Sequence, residues 1–158
     1  MIVDLSKSPS KMSAKEIKAL YAAARNVATY KLACTKRIKN PDEAIRHISA
    51  MFHGQTREAF GVIYLDSQHN VIGTKILFEG TINEAYVYPR VVVEGVLEAG
   101  ASAIIVFHNH TSGTCEPSNA DTSLTFKLRD ALSLVDVKLL DHIIIGITTL
   151  SFSERGLI

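Results

Sequence analysis

Cysteine is scarce in this chain: Cys34 and Cys115 are the only two, far apart and in no Cys-x-x-Cys pair. That scarcity argues against a disulfide framework and against a four-cysteine zinc site, and it fits a reducing compartment. Net charge is nearly absent as well, since 17 Lys and Arg stand against 16 Asp and Glu to leave +1. Without a broad basic field, affinity for nucleic acid has to come from a local patch and is expected to be weak. Lys31, Lys36, Arg37 and Lys39 are the best such patch, and they read first as a solvated helix end and loop. No apolar run approaches bilayer-spanning length, so no membrane association is expected. Met1 to Ser6 has neither a basic start nor a sustained apolar stretch, which predicts no secretory signal and a cytoplasmic location. Internal repeats, low-complexity tracts and long linkers are missing too. What remains is 158 residues, 47% of them hydrophobic, enough to bury a core as one globular unit.

Hydrophobic periodicity divides the chain into elements. Ser13 and Glu16 form a capping box at the start of a helix running to about residue 32, with Ile17, Leu20, Tyr21, Ala24 and Val27 as its packing face. Asn40 and Pro41 open a second helix that turns Ala44, Ile48 and Met51 inward and stops before Gly54. Ala59 to Leu65 and Val71 to Phe78, separated by the turn-forming Asp66 to Asn70, predict a hairpin. Pro89 begins a helix with Val92, Val93, Val96 and Leu97 inward and Gly100 at its end. The apolar run 101–107 reads as a central strand, Ser118 to about Leu134 as a helix, Val137 to Ile145 as a strand, and Thr148 to Phe152 as an edge strand. Helices alternating with strands after a hairpin predict an α/β fold, a mixed sheet flanked by helices. Residues 1–52 read as a helical segment packed on the main unit, 53–158.

The chemistry is concentrated just after the central strand. His108 and His110, one residue apart, project from the same face of an extended chain, so both rings can meet one ion. Asp121 follows ten residues after His110, with Ser118 three positions before it. Two imidazoles and a carboxylate make a three-ligand set that suits zinc and leaves a fourth position open. Capping gives a second account of the last pair: Ser118-Asn119-Ala120-Asp121 is also a capping-box signature, with Asp121 at the helix's positive end. The two accounts are compatible. A hydrolytic centre further needs a carboxylate that is not a ligand to move a proton. Glu58, Glu79, Glu84, Glu94 and Glu98 all qualify by position, and periodicity does not choose among them.

These residues resemble the RadC-like branch of the JAB/MPN+ (JAMM) metalloprotease family. The His-x-His, ten residues, Asp pattern with its intervening Ser falls on His108, His110, Ser118 and Asp121, inside a His-Asn-His-x-Ser-Gly and Pro-Ser-x-x-Asp context, and Leu-Leu-Asp-His falls on 139–142. The resemblance covers Glu58 to Ile158. It implies a cytidine-deaminase-like (JAB/MPN) fold, one Zn²⁺ per chain held by His108, His110 and Asp121, and hydrolysis of a peptide or isopeptide bond in a protein or peptide substrate. Glu58 would activate water, and Ser118 would donate a hydrogen bond to the oxyanion. Thr111 stands where the family usually has proline. Residues 1–52 are too short, and lack the glycine-marked hairpins, to supply the helix-hairpin-helix region of longer RadC proteins. The DNA-repair role attached to the RadC name therefore transfers poorly, and it stands as the alternative function beside an interaction module with a vestigial site.

Asp141 and His142 interrupt an otherwise apolar strand, and a buried polar pair needs partners. A pair that supports the cleft and a hydrogen-bonded fold staple are both open readings. Substrate identity and oligomeric state are not legible in the sequence.

Overall fold

A computed structural model describes residues 8–34, 37–52, 56–80 and 87–158. After a short 3₁₀ turn at Pro9–Lys11, its elements are α1 (Ala14–Cys34), α2 (Pro41–Phe52), β1 (Ala59–Leu65), β2 (Val71–Glu79), α3 (Pro89–Ala99), β3 (Ala103–Asn109), α4 (Asn119–Ser133), β4 (Lys138–Ile145) and β5 (Thr149–Ser151). The strands form one sheet in the order β2-β1-β3-β4-β5. Only β3 and β4 run parallel, and α4 is the crossover that a parallel pair requires. The fold is thus α/β with a mixed sheet flanked by helices, and the central strand expected at 101–107 is central.

Alternation along β1 and β3 builds two cores. Ala59, Ile63, Leu65, Ala103, Ile105 and Phe107 point to the face covered by α2, where they meet Ala44, Ile48 and Phe52. Phe60, Val62, Tyr64, Ile104 and Val106 point the other way, against Val92 and Val96 of α3 and Leu128 and Leu132 of α4. Burial on both faces explains why β3 reads as a continuous apolar run. The first core joins α2, from the 1–52 segment, to strands of the 53–158 unit.

Local signals account for most element ends. The Ser13 amide donates to Glu16 Oε2 at 2.8 Å while the Ser13 hydroxyl accepts from the Glu16 amide at 3.3 Å. Asn40 Oδ1 accepts from the Glu43 amide at 3.0 Å, and Asp66 Oδ1 accepts from the amides of Gln68 and Asn70 in the hairpin turn. Gly100 ends α3 in the left-handed region at φ +62°, which glycine enters without the Cβ penalty.

Three expectations change. Leu97 is 59% exposed rather than inward, because α3 buries only the narrow stripe of Val92 and Val96, with Val93 beside it. Tyr21, Ala24 and Val27 are exposed, since α1 packs mainly against α2 and touches β2, and only Ile17 and Leu20 of its predicted face are half-buried. The β3 strand starts at Ala103 and continues through Asn109, because His108 and Asn109 pair with Ile144 and Ile145 of β4. His108 therefore sits inside the sheet rather than in the loop after it.

Candidate metal centre

The three ligand candidates come from three local structures that end at one point. His108 occupies the last turn of the β3 pleat, on the α3/α4 face, and is 9% exposed. His110 follows the strand, and its amide donates to the Ile145 carbonyl at 2.8 Å, which holds the ligand loop to the end of β4. The loop is pinned again by the Ile147 amide on the Gly113 carbonyl at 2.7 Å. A Cβ on Gly146 would stand 2.3 Å from that same carbonyl oxygen, so the close approach requires glycine. Asp121 lies in the first turn of α4, where Ser118 caps the helix. Ser118 Oγ accepts from the Asp121 amide at 3.1 Å, and Asp121 Oδ2 accepts from the Ser118 amide at 2.7 Å and its hydroxyl at 2.6 Å. The capping account of this pair holds and is compatible with the ligand account: Oδ2 completes the capping box while Oδ1 faces His108.

The candidate ligand atoms lie close enough together to share one ion. His108 Nε2 is 2.9 Å from His110 Nε2 and 3.2 Å from Asp121 Oδ1, and His110 Nε2 is 3.4 Å from Asp121 Oδ2. Ligand atoms about 2.1 Å from a tetrahedral zinc stand about 3.4 Å from one another. Among the described residues, His108, His110 and Asp121 form the cluster that could hold a metal ion. The chemistry of the donors agrees. His110 Nδ1 lies 3.0 Å from the Thr114 carbonyl oxygen, which can only accept, so the proton of a neutral ring is on Nδ1 and Nε2 is bare. Two imidazole nitrogens this close hold at most one proton between them, whereas a cation satisfies both and the carboxylate at once. Burial pushes the Asp121 carboxyl up, but hydrogen bonds from His108, His110 and Ser118 outweigh it and keep the group far below the ordinary carboxylate range. Asp121 as hydrogen-bond partner raises the His110 imidazole, against the opposing effect of burial.

Beside this cluster is a cleft of about 430 Å³ lined by Glu58, Phe60, His108, His110, Ser118 and Asp121 among others. Of the candidate proton carriers, Glu58 lines it; Glu79, Glu94 and Glu98 do not, and Glu84 lies outside the described residues. Glu116, which the residue pattern did not single out, is on the rim and pairs with Arg155 at 3.0 Å. Cys115 is half-buried, its Sγ 3.0 Å from Thr148 Oγ1. Of the basic patch, Arg37 and Lys39 are exposed, while Lys36 and the Lys31 side chain lie outside the described residues.

Three residues in or beside the site have roles that the sequence did not assign. Asn109, between the histidines, points to the opposite face, where its Oδ1 accepts from the Ala59 amide at 2.7 Å and its Nδ2 donates to the Arg57 carbonyl at 3.0 Å. It thereby clamps the chain on both sides of Glu58. The strand alternation that pairs His108 with His110 was the signal that Asn109 faces away. Asp141 and His142 divide their functions. Asp141 is a staple, accepting from the amides of His142 and Ser153 and the hydroxyl of Ser151. His142 is fully buried and stands against the site, its Nε2 2.8 Å from His108 Nδ1. Burial pushes its imidazole well below the ordinary value.

Known proteins resemble this chain over most of its length. The family model for the RadC-like JAB domain matches residues 38–157. A UPF0758 protein of Vibrio cholerae is 48% identical over 120 residues, covering 75% of this chain and 54% of that protein. One from Pseudoalteromonas translucida is 51% identical over 120 residues, with the same coverage. One from Thioalkalivibrio sulfidiphilus is 41% identical over 143 residues, 90% of this chain and 64% of its own length. The chain spans little more than half the length of most of these relatives.

Proposed function

The chain belongs to the RadC-like JAB domain family, and on that premise we propose that it is a zinc-dependent hydrolase of peptide or isopeptide bonds in protein substrates. The observation that carries this reading is the meeting of two imidazoles and a carboxylate, close enough to share one ion, in a cleft that also holds the Glu58 carboxylate. His108, His110 and Asp121 would hold the ion. When bound, zinc supplies Lewis-acid polarisation of a carbonyl and acidifies water toward neutral pKa.

The chain's own groups do the rest. Glu58 takes the proton from the attacking water and delivers it to the amide nitrogen as the carbon–nitrogen bond breaks, one carboxylate serving as base and then acid. The clamp from Asn109 keeps the Glu58 backbone from drifting relative to the end of β3. Ser118 donates its hydroxyl proton to the oxyanion, which requires that proton to leave Asp121 Oδ2. The Ser118 amide stays on Oδ2 at 2.7 Å when the hydroxyl turns, so the capping box survives the exchange.

Two measurements test the proposal. Metal analysis of protein purified without added ions is expected to give about one zinc per chain. Glu58→Gln is expected to keep that zinc while cleavage of a peptide or isopeptide panel falls by about 10²- to 10⁴-fold. A chain that neither carries zinc nor takes it up on titration would falsify the reading; zinc loss in Glu58→Gln would make Glu58 a ligand instead.

A further inference from the structure

Behind the cleft, a line of buried hydrogen bonds runs from His108 back to the chain of Asp121. His108 Nδ1 is 2.8 Å from His142 Nε2, His142 Nδ1 is 2.6 Å from Thr125 Oγ1, and Thr125 Oγ1 is 2.6 Å from the Asp121 carbonyl oxygen. His142 and Thr125 are 0% and 1% exposed, so no solvent proton donor competes along the line. Phe152 stacks on the His142 ring at 4.8 Å and Phe60 meets it edge-on at 6.0 Å, which fixes its plane.

The direction of the protons follows from the end that has no choice. A carbonyl oxygen only accepts, and a hydroxyl 2.6 Å from it is held there by donating its single proton. Thr125 Oγ1 can then only accept from His142, so His142 carries its proton on Nδ1. His142 is fully buried and meets only a hydroxyl and a ring nitrogen at its two nitrogens, so with its proton on Nδ1 its Nε2 is an acceptor and the 2.8 Å contact takes its proton from His108 Nδ1. His108, protonated on Nδ1, is left with a bare Nε2 aimed at His110 and Asp121. The opposite polarity would turn the Thr125 proton to His142 and set the lone pairs of Thr125 Oγ1 and the Asp121 carbonyl oxygen against each other at 2.6 Å.

We propose that His142 and Thr125 are positioning residues that lock His108 in its Nδ1-protonated form, so that its Nε2 is presented bare to a metal ion, and that they tie this ligand on β3 to the Asp121 turn of α4. The lock is a property of the chain itself. Its consequence for affinity rests on the zinc-hydrolase reading above.

Nitrogen-15 NMR of the metal-free protein, recorded at about pH 8.5 where imidazoles of ordinary pKa are neutral, reads the tautomer of each ring directly. The expected wild-type spectrum has His108 and His142 both protonated on Nδ1. Thr125→Val keeps the shape of the side chain and removes the acceptor for His142 Nδ1–H, so His142 should move its proton to Nε2 and drive His108 to the Nε2-protonated form. Zinc or cobalt titration of the same variant should show affinity lower by about 10- to 100-fold, the usual effect of losing a partner behind a metal ligand. His142→Gln, whose amide oxygen can accept from His108 Nδ1–H, should recover more affinity than His142→Leu. A wild-type His108 protonated on Nε2, or a Thr125→Val variant whose His108 tautomer is unchanged, overturns the proposal. A chain that shows the expected tautomers but binds no zinc overturns the zinc-hydrolase reading and leaves the lock in place.

Discussion

The two faces of the sheet treat neighbouring polar residues in opposite ways. On the α2 side, Asn109 and Asp141 are saturated by backbone amides, a backbone carbonyl and a serine hydroxyl. One residue along each strand, on the α4 side, His108 and His142 bond to each other, and His108 keeps one nitrogen in a cluster of acceptors. A group saturated by backbone can only hold the fold in place. A group with a lone pair left over, buried beside others like it, is a ligand in search of a cation. One His-Asn-His tripeptide thus supplies both the candidate metal ligands and the clamp around Glu58, because alternate residues of a strand face opposite sides.

The largest expected effect separates the faces by metal content. Replacing His108 and His110 together with Ala should leave no stoichiometric zinc by elemental analysis, whereas Asn109→Ala should bind it as the wild type does. Retained zinc in the double variant would place the ligands elsewhere, and zinc loss in Asn109→Ala would erase the distinction.

Stability should show the reverse ranking. Asp141→Asn leaves three buried donors with one acceptor oxygen in place of two, at a cost of about 3 kcal/mol. In a domain of this size that lowers Tm by roughly 6–12 °C in calorimetry, with zinc content unchanged. Asn109→Ala should cost about 1–3 kcal/mol for the unpaired Ala59 amide and Arg57 carbonyl. A slower turnover at full zinc loading would then mark its hold on Glu58.

At the small end, Leu97→Ala should change stability by no more than about 0.5 kcal/mol, because the side chain is exposed. Its neighbour Val96→Ala, fully buried, should cost about 2 kcal/mol in urea unfolding. Equal losses at the two positions would mean that α3 has a wider buried face than Val92 and Val96 provide.

Short-range physics made much of the molecule legible in advance. The hairpin of β1 and β2, the capping boxes at Ser13 and Ser118, the Gly100 stop and the apolar β3 all depend on residues within a few positions of one another, so their pattern survives in one dimension. The same locality made the His108, His110 and Asp121 set readable, since a strand end and the helix after it are joined by one short loop. Glu58 was different. The residue pattern left it level with Glu79, Glu84, Glu94 and Glu98, and only family resemblance singled it out; of the described candidates among these, it is the one that lines the cleft.

Long-range pairing decided the rest. Whether Leu97 or Val27 is buried depends on how much of a helix its neighbours cover, which periodicity does not record. Asn109 reaches the residues flanking Glu58 because β1 lies antiparallel against β3, 50 residues away in the chain. Asp141 and His142 were an unresolved pair in the sequence because each is satisfied by a different partner across the sheet. Ser151 and Ser153 come from the β5 side for one, and His108 and Thr125 from β3 and α4 for the other. A hydrogen bond needs its two atoms within about 3 Å and in line; sequence spacing dictates that for residues on one turn or one strand, and only the packed sheet dictates it for residues brought together from different elements.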